Sequence, residues 1–221
     1  MSEYTFDYKN PTELCEIMGR YNSDKGHIDI TNCWHNYTTF YSSIFEPIRQ
    51  KKLRVFELGL GTNNPDVKSN MCEHTNGGTP GASLYGWREY FPNSSIYGAD
   101  IDKRILFDSD RIKTFYCDQT NPSSIKELWD NDDLQEEFDI IIEDGLHEYH
   151  ANVCFFENSI HRLKKDGYYI IEDIAFRDTD KMLEKLNEWR NKYSDLSFTF
   201  ICIPSSVNNQ DNSLVVIKKI K

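Results

Sequence analysis

Two apolar runs in this chain end in carboxylates. Phe138–Glu148 reads FDIIIEDGLHE, and Gly167–Ile174 reads GYYIIEDI. A run of isoleucines closed by acids is the pattern of a buried parallel strand, and in open α/β sheets ligands sit outside the carboxyl ends of such strands. Three carboxylates delivered by two strand ends repel one another unless protonated or metal-bound. All-oxygen ligation favours a hard cation, Mg²⁺ foremost. The candidate metal ligands are Asp144, Glu172 and Asp173, at the very tips. Glu143 lies one residue back and should point to the other face of its strand. His147, three residues after Asp144, is the side chain best suited to take a proton near neutral pH and is the candidate general base. The plainer alternatives are that Asp144 caps the helix starting near His147, and that the remaining acids and His147 are solvated.

A second set of residues has the pattern of a nucleoside site. Glu57-Leu58-Gly59-Leu60-Gly61 closes the first strong strand pattern, and glycines at such a turn let the backbone approach a ligand closely. A pyrophosphate-binding G-x-G-x-x-G is disfavoured, because Asn64 stands where the third glycine belongs and a loop replaces the helix. Asp100 ends the next strand, where an acid can accept both hydroxyls of a ribose. It follows Glu57 by 43 residues (100 − 57) rather than the usual ~20, and the Thr62–Gly81 loop accounts for the excess. Asp118-Gln119 ends the third strand and offers a carboxylate and an amide to an adenine edge. Each alone could be a solvated strand end; three successive polar ends on one side are harder to dismiss.

The elements that must position these groups follow from periodicity. Strands are predicted at Leu53–Leu58, Ser95–Asp100, Ile112–Cys117, Phe138–Glu143, Tyr168–Glu172, Leu196–Ile203 and Leu214–Lys219. Helices are predicted at Pro11–Tyr21, Trp34–Gln50, Ala82–Tyr90, Ser123–Trp129, His150–Leu163 and Thr179–Tyr193. Alternating strands and helices imply an α/β fold with a mostly parallel seven-stranded sheet, and the last two strands, with no helix between them, imply an antiparallel C-terminal hairpin. The first two helices precede the first strand, so residues 1–50 are expected to form a small helical N-terminal cap on a main domain of residues 51–221. A loop as long as Thr62–Gly81 is often functional; with the SDKG stretch at 23–26 it is expected to wall the acceptor side.

Bulk properties narrow the partners. The 221 residues carry 25 Lys+Arg against 36 Asp+Glu, a net charge of −11. Such a chain is poorly suited to track a phosphate backbone or an anionic membrane surface. No apolar run approaches the ~20 residues of a membrane-spanning helix. The six cysteines have no zinc-knuckle spacing, Cys72 and His74 in the long loop read as incidental, and reduced thiols in a cytoplasm are the simplest expectation. Homo-oligomerisation stays open.

With those residues placed, the chain resembles the Mg²⁺-dependent macrolide sugar O-methyltransferases, the mycinamicin and macrocin O-methyltransferase family. ELGLG at 57–61 resembles motif I of class I S-adenosylmethionine-dependent methyltransferases. The stretches SDKG at 23–26, HNYTTFY at 35–41, PGASLYGW at 80–87, YFPNSSIYGADID at 90–102, DQT at 118–120, IIEDGLHE at 141–148 and YYIIEDI at 168–174 complete the match. The resemblance implies a Rossmann-like class I methyltransferase fold. It implies methyl-donor contacts at Glu57, Gly59, Gly61, Ser83, Asp100, Asp118 and Gln119, a metal on Asp144, Glu172 and Asp173, and His147 as base. Glu143 and Glu172 depart from the Asp that many members carry at these positions, and both keep the acid charge. The expected activity is methyl transfer from S-adenosylmethionine to a hydroxyl of a small-molecule or sugar-linked acceptor. The alternatives are methylation of an amine or amidate nitrogen, and a nucleotide-binding module without catalysis.

Overall fold

The computed structural model describes residues 4–71 and 78–221. Its centre is one eight-stranded sheet in the order β3-β4-β2-β1-β5-β6-β8-β7. The strands are β1 (Arg54–Leu58), β2 (Ser95–Asp100), β3 (Asp108–Ser109), β4 (Ile112–Tyr116), β5 (Phe138–Glu143), β6 (Leu163–Ile171), β7 (Leu196–Cys202) and β8 (Ser213–Lys219). β4, β2, β1, β5 and β6 are mutually parallel, and β8 is inserted antiparallel between β6 and β7. This is the mostly parallel sheet with a C-terminal antiparallel hairpin that the sequence predicts. The additional strand is β3, two residues paired antiparallel to β4 and too short to leave a periodic signal.

Helices cover both faces, which is why β1, β5 and the end of β6 are almost unbroken apolar runs. On one face α1 (Glu13–Arg20), α2 (Tyr37–Phe45) and α3 (Ala82–Tyr90) share a core of Leu14, Met18, Phe40, Phe45, Trp87 and Phe91 with the inward residues of β1, β5 and β6. On the other, α4 (Pro122–Trp129), α5 (Tyr149–Ser159) and α6 (Thr179–Lys192) pack Trp129, Phe155, Phe156 and Trp189 against Phe56, Phe138 and Tyr169. The two N-terminal helices therefore bury their apolar stripes in the core of the sheet's own first face.

Local chemistry fixes the ends. Thr12 caps α1, its hydroxyl accepting from the Cys15 amide, and Asn121 caps α4 with Pro122 in the first helical turn. α2 is shorter than the predicted Trp34–Gln50: Pro47 lacks the N–H that would continue it, and residues Glu46–Ile48 form a 3₁₀ turn instead. β5 and β6 pair with Glu143 opposite Ile171, and the Glu172 amide donates to the Glu143 carbonyl. That register brings Asp144 and the Glu172-Asp173 pair to the same level of the sheet. Among the described residues Cys15, Cys33, Cys117, Cys154 and Cys202 are free thiols, and no helix is long and apolar enough to cross a membrane. Cys72 and His74 lie outside the described residues.

Candidate active site

The carboxyl ends of β5 and β6 converge on an imidazole. His147 places Nε2 3.0 Å from Asp144 Oδ1 and Nδ1 3.4 Å from Asp173 Oδ2. Both His147 and Asp173 have positive φ, 56° and 54°, an uncommon backbone region for residues other than glycine and one that clusters at functional sites. Burial alone would lower the imidazole pKa; the Asp173 and Asp144 carboxylates outweigh it and raise it to about 10. One atom each from Asp144, His147 and Asp173 lies within 4.8 Å of the others, close enough to share an ion.

Glu172, the third expected ligand, is differently engaged. It is 2% exposed, and it accepts from Tyr41 through Oε1 and from the Lys25 ammonium through Oε2. Lys25 also lies 2.5 Å from Asp144 Oδ2 and 3.9 Å from Glu57 Oε1. Burial would strip its charge, but Asp144, Glu172 and Glu57 reverse that and hold its pKa well above the ordinary lysine value. Burial pushes Glu172 up among its neighbouring acids, whereas Lys25 and His147 overcome burial at Asp144 and hold it below the usual carboxylate range. Asp173 is held from behind by the start of α2 and the residues before it: the Tyr37 hydroxyl donates to its Oδ1 at 2.6 Å, and His35 Nε2 is 3.5 Å from its Oδ2.

Lys25, Tyr37 and Tyr41 are the site residues that sequence reasoning missed. The two tyrosines lie in the predicted Trp34–Gln50 helix, and their i, i+4 spacing carries two hydroxyls to two adjacent acids. A pair of tyrosines on one buried stripe is the available signal, because a buried phenol needs a polar partner. Lys25 sits inside the SDKG motif, but nothing in its local sequence says that it is buried.

A cavity of about 370 Å³ opens beside this cluster, across the ends of β1, β2, β4 and β5. Gly59, Gly61, Ser83, Asp100, Asp118 and Gln119 line it, as do Asn22–Lys25, Val67–Ser69 and Met71. Ser23–Lys25 and the described part of the long loop therefore wall this cavity, not the acceptor side expected of them; only Lys68 of these residues also borders a second cavity. Glu57 is not in the wall. It is fully buried behind Ser83 and Lys25 and accepts from the Ser83 hydroxyl and the Trp87 indole. Asp100 accepts from the Leu60 and Asp102 amides, each at 2.8 Å, which pins the turn after β1. Gln119 donates to Glu143 Oε1 at 2.9 Å and accepts from the Leu146 amide at 2.6 Å, locking the loop before His147. The glycine requirement at Gly59 comes from the protein itself: φ is 92°, and a Cβ would collide with the Asp144 carbonyl. Glu143 pairs with Gln119, and burial raises it to about 7. A second cavity, of about 560 Å³, lies on the far side of His147, and Lys68, Leu146 and His147 border both.

This strand order, with a cavity across the ends of β1, β2 and β4 and an acid cluster beyond β5 and β6, defines a class I methyltransferase fold. The MycE methyltransferase from the mycinamycin biosynthetic pathway, solved with Mg and S-adenosylhomocysteine, superposes with a TM-score of 0.69 and 22% identity over 97% of this chain and 56% of that one. No family model matches the chain. The chain is a homologue of the macrolide sugar O-methyltransferases. It is 31% identical over 165 residues to the 8-demethyl-8-(2-methoxy-alpha-L-rhamnosyl)-tetracenomycin-C 3'-O-methyltransferase of Streptomyces olivaceus, covering 74% of this chain and 37% of that protein. Demethylmacrocin O-methyltransferase of Streptomyces fradiae is 31% identical over 166 residues, 73% of this chain and 36% of that protein. The chain thus spans little more than a third of the length of these curated relatives.

Proposed function

We propose that this protein transfers a methyl group from S-adenosylmethionine to a hydroxyl of a sugar or sugar-linked small molecule. The observation that carries the reading is the placement of His147 between two cavities, with two carboxylates on its ring nitrogens. One cavity has the strand-end position of a nucleoside site, and the other is open for an acceptor. The named activities of the homologues support the choice of a sugar hydroxyl.

The donor occupies the first cavity, against Gly59, Gly61, Ser83, Asp100, Asp118 and Gln119. Glu57 acts behind it, fixing Ser83 and helping to hold Lys25. The donor set at the acid cluster fits a hard divalent cation: carboxylates predominate, several are buried, and their charge exceeds that of Lys25 and His147. Asp144 and Asp173 would hold Mg²⁺, with Glu172 beside them. When bound, the cation would supply a Lewis acid for the acceptor oxygens and offset the negative charge that raises the His147 pKa. His147 is 38% exposed and stands at the acceptor side; it acts as base in its neutral form, Nε2 exchanging its Asp144 contact for the hydroxyl proton while Asp173 orients the ring through Nδ1. The remaining contribution is alignment of the nucleophilic oxygen with the methyl group.

The test is incubation with isotopically labelled S-adenosylmethionine and a panel of deoxysugar glycosides, scored by mass spectrometry for label transfer. Transfer that stops in EDTA and returns with Mg²⁺ is expected. Transfer to nitrogen only, or full turnover in chelator, contradicts the corresponding part of the reading.

A further inference from the structure

The second cavity has one feature that neither folding nor the methyl-transfer chemistry uses. Phe176 is 82% exposed, far more than any other exposed large hydrophobic side chain of the described residues. A single exposed apolar side chain is ordinary. This one is held in place. Its amide donates to the Gln210 carbonyl at 2.7 Å, and the Asp178 amide donates to the Ala175 carbonyl at 2.8 Å, closing a 3₁₀ turn over Phe176–Asp178. Two residues before it, the Ile174 amide is tied to the Ser213 carbonyl at the start of β8. The ring is therefore presented to solvent by a fixed backbone only three residues beyond Asp173.

Phe176 lines the cavity together with His147, Asn209 and Gln210. An aromatic face beside amide side chains, next to a general base, matches a pyranose. The axial C–H face of a sugar is apolar and stacks on an aromatic ring, while its equatorial hydroxyls need amide donors and acceptors at the rim. We infer that Phe176 is the platform on which the acceptor sugar ring lies, setting which hydroxyl reaches His147, with the Asn209 and Gln210 side chains serving the remaining hydroxyls. This rests on the reading of the protein as a sugar O-methyltransferase and adds the residue that recognises the ring.

The test is saturation-transfer NMR on the full chain with S-adenosylhomocysteine and Mg²⁺ present, using neutral methyl pyranosides, methyl α-L-rhamnopyranoside first. Wild type is expected to transfer saturation mainly to the ring C–H protons of one face. Phe176→Ala should lose that transfer at least fivefold, and Phe176→Tyr should retain it. Equal transfer in Phe176→Ala and wild type overturns the platform. So does silence of the whole panel with wild type, or a Phe176→Ala change confined to the oligomeric mass measured by light scattering, which would make the ring a contact between copies. Calorimetry with S-adenosylhomocysteine separates the two levels. Donor binding without any sugar signal overturns the platform alone, and absence of donor binding overturns the methyl-transfer reading beneath it.

Discussion

Lys25 and Asp144 are 119 residues apart in the chain and 2.5 Å apart in the fold, between Nζ and Oδ2. The lysine is 2% exposed, so this is a buried ion pair, and Glu172 and Glu57 complete its surroundings. Removing one partner of a buried pair leaves an uncompensated charge, which costs far more than an exposed pair is worth. Lys25→Met should lower the unfolding free energy by roughly 3–5 kcal/mol, read from urea denaturation. Adding Glu172→Gln to Lys25→Met should recover part of that loss, because the second change removes one of the stranded acids. A double variant no more stable than the additive sum would show that Lys25 and Glu172 are not coupled.

The proposed base role of His147 predicts a separation of chemistry from donor binding. His147→Ala should reduce kcat about 10²-fold or more. Binding of S-adenosylhomocysteine should change little, because only the rim of the donor cavity is altered. A variant that keeps near-normal kcat would take the proton-transfer role away from His147.

The metal-free protein should lose stability on the alkaline side. The folded-state pKa of His147, about 10, lies above its reference value of 6.5. A group raised on folding contributes stability that is fully present below the reference value and is lost as pH rises through the folded value. The urea midpoint of chelator-treated protein should therefore fall between pH 6.5 and pH 10. The 38% exposure of the ring keeps the effect modest through solvent screening. His147→Ala should show a flatter profile across that window, and an equal slope would place the titrating group elsewhere.

Gly59 links the turn after β1 to the backbone of the loop that carries Asp144 and His147. With φ at 92° and Asp144 carbonyl oxygen where a Cβ would stand, Gly59→Ala must both strain its own backbone and push the Asp144 segment away. A cost of roughly 2–5 kcal/mol is expected. Any protein that still folds should bind the donor more weakly, measured by calorimetry. Near-wild-type stability and donor affinity would mean that the two segments can separate without consequence.

Much of this architecture was legible before folding. β2, β5 and α3 have the predicted bounds, and the apolar-to-acid transitions of β5 and β6 mark the edge where the acid cluster gathers. The reason is physical: a strand buried on both faces must be apolar along its length, so the first carboxylate dates its emergence at the edge. The glycine at 59 and the acid at 100 were equally visible as features of a strand-to-loop turn. What they do there was not. Gly59 makes room for Asp144, Asp100 pins two amides, and Gln119 locks the Leu146 segment.

The amino-acid sequence by itself determined the order of strands and helices, the acids at the strand tips and the histidine that follows them, because hydrophobic periodicity and local spacing record these directly. Only the tertiary structure decided how the charges are balanced. Lys25 arrives from the N-terminal segment, and Tyr37 and Tyr41 from α2, to meet acids more than a hundred residues later. Such pairings are set by the packing of α1 and α2 against the sheet and by the β5–β6 register, and burial then converts three ordinary polar side chains into the groups that hold the acid cluster in place.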